Sequence, residues 1–151
     1  MARAGDQIEN PLTGERLTFA LTAAETDGEL LELDSLWTRP GHRVLEHIHP
    51  SMQERWEVIS GTARFRIGDE EILAAAGDSV TAPAGVSHLA WNPGDEIVHV
   101  RIQLRPALRW ETFIERMFAL TQDAHAEGQQ APDQKAMVEL LREFSPEIVL
   151  T

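Results

Sequence analysis

The feature that most constrains this chain is a series of short segments with alternating apolar residues, separated by turn sequences. We predict strands at 17–21, 29–37, 54–60, 62–67, 70–74, 78–82, 88–92 and 97–104. The turns between them include RPG, SG, IGDE, AGD, PAG and NPGDE. Many short strands with regularly spaced Gly, Pro and Asp turns are typical of an all-β sandwich or barrel. The length of 151 residues suits one domain, 1–151.

The pattern changes near residue 106, after which apolar residues recur at helical spacing. The first helical stripe consists of Trp110, Phe113, Ile114, Met117 and Phe118. The second consists of Met137, Leu140, Leu141 and Phe144, with Asp133 as a suitable N-cap before it. Such stripes predict two C-terminal helices that pack against the outside of the barrel or against a second subunit.

Composition narrows the classes of function. The net charge is −12, from 13 basic and 25 acidic residues, and Lys135 is the only lysine. Because phosphate binding needs clustered Lys and Arg, we expect neither nucleic acid nor an anionic membrane as a partner. The chain has no cysteine, so disulfides, thiolate nucleophiles and cysteine zinc sites are excluded. The sequence shows no apolar targeting segment, which predicts a cytoplasmic protein.

The stretch GHRVLEHIHP, residues 41–50, contains two histidines one residue apart. Alternate side chains of a strand project from one face, so His47 and His49 would point together. Glu54 would reach the same space if its strand paired with theirs, and His88 follows a Pro-x-Gly turn. Three imidazoles and one carboxylate suit a divalent transition metal: Fe, Mn, Ni, Co, Cu or Zn. The alternative is that these are exposed strand histidines.

Two blocks of sequence surround these residues. The spacing G-x5-H-x-H-x4-E-x6-G is filled by Gly41, His47, His49, Glu54 and Gly61. The spacing G-x5-P-x-G-x2-H-x3-N is filled by Gly77, Pro83, Gly85, His88 and Asn92. Both blocks match the two motifs of the cupin family without a departure. The chain therefore resembles a small single-domain bacterial cupin.

The resemblance implies a double-stranded β-helix, or jelly-roll, barrel over about 17–105, with a helical tail over about 107–145. It also implies that the metal ligands are His47, His49, Glu54 and His88. In some cupins the carboxylate leaves the metal and acts as a base, which makes Glu54 a candidate catalytic residue. Since imidazole must be neutral to coordinate, we expect metal loss below roughly pH 6.

Substrate contacts are harder to assign. Trp56 and Phe65 fall in one inward layer and form either core or pocket wall. The strand 97–104 has one apolar face, and its polar face carries His99, Arg101 and Gln103. If the apolar face packs against the helices, these three line the lumen and contact substrate, with Arg101 anchoring a carboxylate or enolate. His42 and His125 are interpreted as turn and loop residues, and Asn92 as a turn residue.

Three functions fit the resemblance. The favoured one is a metal-dependent, dioxygenase-like oxidoreductase acting on a small enol, diketone or phenolic substrate. The alternatives are a non-redox metal-dependent isomerase, cyclase or lyase, and a non-catalytic small-molecule-binding cupin. Because jelly rolls have edge strands to cover and small cupins usually dimerise, we also expect a homodimer.

Overall fold

The computed structural model describes residues 2–39 and 45–151. Gly41 of the first motif and His42 lie outside the described residues. The elements in chain order are β1 (Gln7–Asn10), β2 (Glu15–Leu21), β3 (Leu31–Trp37), β4 (His47–Ile48), β5 (Gln53–Ser60), β6 (Thr62–Ile67), β7 (Glu70–Ala75), β8 (Ser79–Ala82), β9 (His88–Trp91), β10 (Val98–Arg105), α1 (Trp110–Ala126), α2 (Gln134–Glu143) and β11 (Val149–Leu150). The predicted all-β fold with two C-terminal helices is confirmed.

The strands form two antiparallel sheets. A six-stranded sheet has the order β1-β2-β3-β10-β5-β8, and a five-stranded sheet has the order β11-β4-β9-β6-β7. Between β3 and β10 the chain folds as antiparallel pairs, β3 with β10, β4 with β9, β5 with β8 and β6 with β7. Successive pairs fall alternately in the two sheets, which is the double-stranded β-helix expected from the resemblance.

The histidine strand does not pair with the following strand, which was the condition under which Glu54 was expected to reach the histidines. β4 pairs with β9 and β11 in the five-stranded sheet, whereas β5 pairs with β10 and β8 in the six-stranded sheet. Glu54 therefore reaches the histidines from the other sheet, across the interior. The short strands β1, β4 and β11 carry too few residues for an alternating pattern to show in the sequence.

We expected the first helix to pack against the outside of the barrel, but one face of it also lines the interior. Trp110, Ile114, Met117 and Phe118 of α1 face an internal cavity that strands of both sheets also line. The helix also extends through Ala126, so His125 lies in its last turn rather than in a loop. In α2, the predicted N-cap is confirmed, because the Asp133 side chain accepts a hydrogen bond from the backbone N–H of Ala136. Neither helix is long and apolar enough for a membrane span, as judged over 2–39 and 45–151.

Gly61 of the first motif occupies the tight turn that carries the chain from β5 to β6. Its φ is +81°, and a Cβ atom added there would lie 2.7 Å from the carbonyl oxygen of Ile97. Both the left-handed backbone and the close approach require glycine at this position. Glycine at this motif position is thus required by the backbone, whereas the histidines and the glutamate of the motif are the candidate ligands.

Candidate metal centre

Two short strands and the start of a third bring four side chains together inside the barrel. His47 on β4 lies directly opposite His88 on β9 in the antiparallel register. His49 follows β4, and Glu54 is near the beginning of β5 in the opposing sheet. All four side chains are buried, and one potential ligand atom from each lies within 4.8 Å of all the others. The structure thus brings together the four residues that the resemblance implies as ligands.

Backbone carbonyls orient the three imidazoles. Each Nδ1 lies within hydrogen-bond distance of a carbonyl oxygen: that of Leu45 for His47 (2.6 Å), of Glu147 for His49 (2.9 Å) and of Val86 for His88 (2.9 Å). A carbonyl can only accept, so each Nδ1 carries the proton and donates it. The three Nε2 atoms then present their lone pairs to the cluster, as in metal sites whose histidines are held by outer hydrogen bonds.

Glu54 faces two of these nitrogens. Its Oε1 lies 2.9 Å from Nε2 of His49 and 3.2 Å from Nε2 of His88. Burial alone would raise the pKa of Glu54, but its contacts with the two imidazoles outweigh burial and hold that pKa well below its usual range. Burial likewise opposes charging of His88, yet the bond to Glu54 raises the pKa of that imidazole. A carboxylate and imidazole lone pairs at these distances require a cation between them, either a proton or a metal.

His47 completes the donor set. Its Nε2 is buried and has no hydrogen-bond partner among the described residues. Burial, followed by the nearby His49, lowers the pKa of His47 to about 4, so this imidazole stays neutral at physiological pH. A buried, unprotonated and unpaired nitrogen aimed at a carboxylate and two further imidazoles fits a metal ligand. The residues present therefore fit a divalent metal, whose identity the donor set leaves open.

The cluster forms part of the wall of a cavity of about 80 Å³. His47, Glu54 and His88 contribute its polar end. The strands contribute mostly apolar side chains, namely Leu17, Leu33, Trp37, Trp56, Ala90 and Ile102. Helix α1 contributes the four apolar side chains described above, so a potential metal would face a small space lined mainly by apolar side chains.

A second carboxyl group, which the sequence analysis missed, also lines this cavity. Glu15 is the first residue of β2 and accepts a hydrogen bond from the Ser35 hydroxyl at 2.7 Å. Burial raises the pKa of Glu15 to about 7, against the opposing hydrogen bonds from Ser35 and Trp37. The sequence contained a signal, because Glu15, Leu17 and Phe19 alternate along one buried face. The predicted strand began at residue 17, two positions too late to include it.

The predicted aromatic contacts separate into two positions. Trp56 lines the cavity, with its ring centroid 5.4 Å from that of His88 in an edge-on arrangement. Phe65 is fully buried behind it, 5.1 Å from Trp56 between ring centroids, and is not among the residues that line the cavity. Trp56 is thus placed to contact a ligand, and Phe65 is placed to support Trp56.

The prediction that the polar face of β10 lines the lumen is wrong. Ile102 of the apolar face reaches the cavity, while His99, Arg101 and Gln103 lie on the outer face. His99 and Arg101 approach Asp34 Oδ1 at 3.3 and 3.6 Å. The Gln103 side-chain amide donates to Glu32 at 2.8 Å. β10 lies between β3 and β5, and the buried side chains of those two strands project to the same side of the sheet as the apolar side chains of β10. That side is therefore the interior, and the polar face of β10 is outside.

The C-terminal segment supports the cluster, which sequence reasoning did not find. Besides the carbonyl of Glu147 on His49, β11 pairs with β4, and the Trp110 ring packs edge-on against His49 at 4.6 Å between centroids. The Glu147 side chain is buried and binds Arg109 at 2.8 and 3.3 Å. No local pattern in the sequence links residues so far apart along the chain.

Comparison with known proteins agrees with this arrangement. The Cupin domain family matches residues 38–103. The mannose-1-phosphate guanylyltransferase of Salmonella montevideo is 32% identical over 77 residues, which are 49% of this chain and 16% of that protein. This chain thus spans only about a sixth of the length of the curated relatives that it matches.

Two solved structures share the fold. One, a protein named as a predicted oxalate decarboxylase from Thermotoga maritima, has a TM-score of 0.60 and 18% identity, covering 70% of this chain and 98% of that one. The other, an RmlC-like cupin from Shewanella frigidimarina, has a TM-score of 0.58 and 20% identity, covering 69% and 86%. Residues 38–103 match the Cupin domain family, and the two wound sheets share the fold of an RmlC-like cupin, which supports a small cupin-superfamily domain in this chain.

Proposed function

We propose that this protein is a metal-dependent, dioxygenase-like enzyme that acts on a small organic molecule with enol, diketone or phenolic oxygens. One divalent metal would be held by His47, His49, Glu54 and His88. The observation that carries the proposal is the buried four-residue cluster at the wall of an apolar cavity. Four protein ligands would leave room for a bound molecule on a five- or six-coordinate metal, and the adjoining cavity supplies space for one.

The residues around the cluster suit catalysis. A divalent metal in this position supplies Lewis acidity and, when redox-active, reactivity towards dioxygen. Glu54 would either ligate the metal or accept a proton from a bound molecule, and its contact with the His49 imidazole supports a position at the metal. Trp56 and the apolar residues of α1 surround this space with nonpolar surface, and the lower local dielectric constant would strengthen electrostatic contacts inside it.

The cavity limits the size of the substrate. Its volume of about 80 Å³ is well below the roughly 300–1,000 Å³ of sites that hold drug-sized molecules. A diketone of a few carbon atoms therefore suits it better than a polycyclic flavonol. The guanylyltransferases similar to this chain act, by their name, on mannose 1-phosphate, but among the described lining residues no Lys or Arg could bind a phosphate.

Oxygen consumption tests the proposal directly. The protein is stripped of metal, reconstituted anaerobically with Fe(II), Mn(II) or Ni(II), and mixed with acetylacetone and oxygenated buffer. We expect oxygen uptake and loss of acetylacetone with at least one metal, and neither in His88→Ala. The control is His99→Ala, which removes an imidazole from the outer face and should keep full activity. Tight binding of acetylacetone without turnover under every metal would contradict the enzymatic proposal.

A non-redox reaction is the second candidate, and Glu15 is the observation that favours it. A carboxyl group whose pKa lies near neutrality is well matched to proton transfer to or from a metal-polarised carbonyl. The test uses the Zn-loaded protein without oxygen and follows deuterium incorporation from D2O into hydroxyacetone by NMR. Incorporation that requires both zinc and Glu15 would select an isomerase-type reaction, and its absence would remove this candidate.

A further inference from the structure

The described lining of the cavity carries acidic groups but no Lys or Arg side chain. It contains two carboxyl groups, those of Glu15 and Glu54, and none of its described lining residues is a Lys or an Arg. Arg101 lies on the outer face of β10, beside Asp34. Among the described residues, a metal at the cluster would therefore be the one cation that faces a negatively charged ligand.

The available positive charge is small. A divalent metal with neutral imidazoles and an ionised Glu54 leaves one net positive charge. Ionisation of Glu15 cancels that charge within the same buried cavity. A carboxylate or phosphate ligand would then leave negative charge uncompensated in a medium of low dielectric constant, which is strongly unfavourable. An uncharged ligand carries no such cost.

Glu15 lies in the cavity wall on β2, in the same six-stranded sheet as Glu54 on β5. The strands β3 and β10 separate β2 from β5 in the six-stranded sheet. Ser35 and Trp37 face Glu15 from β3, Glu54 acts on it from β5, and α1 presents only apolar side chains to the cavity. Burial raises the pKa of Glu15 to about 7, so this carboxyl group changes between neutral and charged near neutral pH.

We propose that Glu15 determines the specificity of the cavity: it selects small uncharged ligands and discriminates against anionic ones. This inference rests on the proposed function only in requiring a metal at the histidine cluster. It implies that a natural substrate reaches the cavity as a neutral enol, diketone, hydroxyketone or phenol, and that sugar phosphates and dicarboxylates are rejected.

Two probes of equal heavy-atom count test the charge selection. Hydroxyacetone is uncharged and glycolate is a monoanion. Each offers a metal a hydroxyl oxygen and a second oxygen, from a ketone in hydroxyacetone and from a carboxylate in glycolate. The Co(II)-loaded protein is titrated with each probe at about pH 8, and the change in the visible cobalt spectrum gives the affinity. Glu15→Gln keeps the shape and the hydrogen-bond acceptor but removes the charge. Glu57→Gln removes a charge from a half-exposed residue of β5 that does not line the cavity.

In Glu15→Gln we expect the affinity for glycolate, relative to hydroxyacetone, to rise by roughly tenfold or more, as a unit charge across a small buried cavity implies. In Glu57→Gln the ratio should equal that of the wild type. An unchanged ratio in Glu15→Gln, or an equal change in both variants, would overturn the proposal. So would a cobalt spectrum that neither probe alters. Because cobalt content is measured separately, that last result would leave the metal site itself intact.

The wild-type protein provides a second measurement if Glu15→Gln does not fold. The ratio of glycolate to hydroxyacetone affinity should fall as the pH rises from about 6 to about 8, because Glu15 ionises over that range. Hydroxyacetone serves as the reference, since hydroxide competes with both probes for the metal. A ratio that stays constant with pH would overturn the proposal.

Discussion

The cavity has two buried carboxyl groups in the same six-stranded sheet, separated by two strands, and their properties differ. Glu54 lies 2.9 and 3.2 Å from two imidazole nitrogens, and its pKa is held low. Glu15 faces a hydroxyl and an indole, and its pKa is raised to about 7. Burial favours the neutral acid in both places, so the neighbouring groups decide the outcome. The surroundings of Glu54 therefore favour a bound cation; we call them the Glu54 wall, formed by His47, His49, Glu54 and His88. The surroundings of Glu15 favour a protonated carboxyl group; we call them the Glu15 wall, formed by Glu15, Ser35 and Trp37.

Of the changes that distinguish the two walls, removal of one imidazole from the Glu54 wall should have the largest effect, a loss of metal affinity. Four-ligand zinc sites bind with about 10–16 kcal/mol, so losing one ligand should lower metal affinity by roughly a hundredfold or more. We expect His88→Ala to lose its metal on dialysis while His99→Ala retains it, as measured by plasma mass spectrometry. Equal metal content in the two variants would contradict the assignment of the cluster.

Removing the charge from the Glu15 wall should change how stability depends on pH. The folded-state pKa of Glu15, about 7, lies above the ordinary carboxyl value of 4.5, so the folded protein holds this proton more tightly than the unfolded chain does. The contribution of Glu15 is complete below about pH 4.5 and is lost as the pH rises through about 7, by up to about 3 kcal/mol. Glu15→Gln should lack this decline.

Chemical denaturation at several pH values between about 5 and about 8 measures the difference between wild type and Glu15→Gln, in which the other titrating groups cancel. Glu57→Gln provides the control and should follow the wild-type pH dependence. Parallel curves for wild type and Glu15→Gln would mean that Glu15 titrates normally in the folded protein.

The two walls also differ in how far the sequence predicts them. The spacing of His47, His49, Glu54 and His88 matches a known motif, so these ligand candidates could be named before the fold was seen. The route by which Glu54 reaches the histidines was not predictable in the same way. It depends on which sheet each strand joins, and a two-residue strand such as β4 carries no periodic signal for that.

The alternating pattern along β10 shows what the sequence does not determine. A period of two separates Val98, Val100 and Ile102 from His99 and Arg101, but it does not say which face is internal. That choice is made by β3 and β5, whose own buried residues lie on the same side. Likewise, the apolar stripe of α1 predicted a buried face correctly, but only packing places that face over the cavity.

The smallest expected effect concerns the C-terminal segment that supports the Glu54 wall. The Glu147 side chain is 3% exposed and is paired with Arg109, and its backbone carbonyl accepts from Nδ1 of His49. In Arg109→Ala this carboxylate would be buried without its cation, so the segment should shift and release the imidazole. Loss of such an outer hydrogen bond typically lowers metal affinity by about 10- to 100-fold.

Competition between the protein and a fluorescent zinc chelator would measure this affinity. The matched control is Arg116→Ala, because Arg116 also binds α2 and lies over the Phe144 ring, but its partner Glu143 is half exposed. We expect about a tenfold loss of zinc affinity in Arg109→Ala and none in Arg116→Ala. If both variants bind zinc as tightly as the wild type, the hydrogen bond from His49 to Glu147 does not tune the cluster. The Glu54 wall would then depend on its four ligand side chains alone.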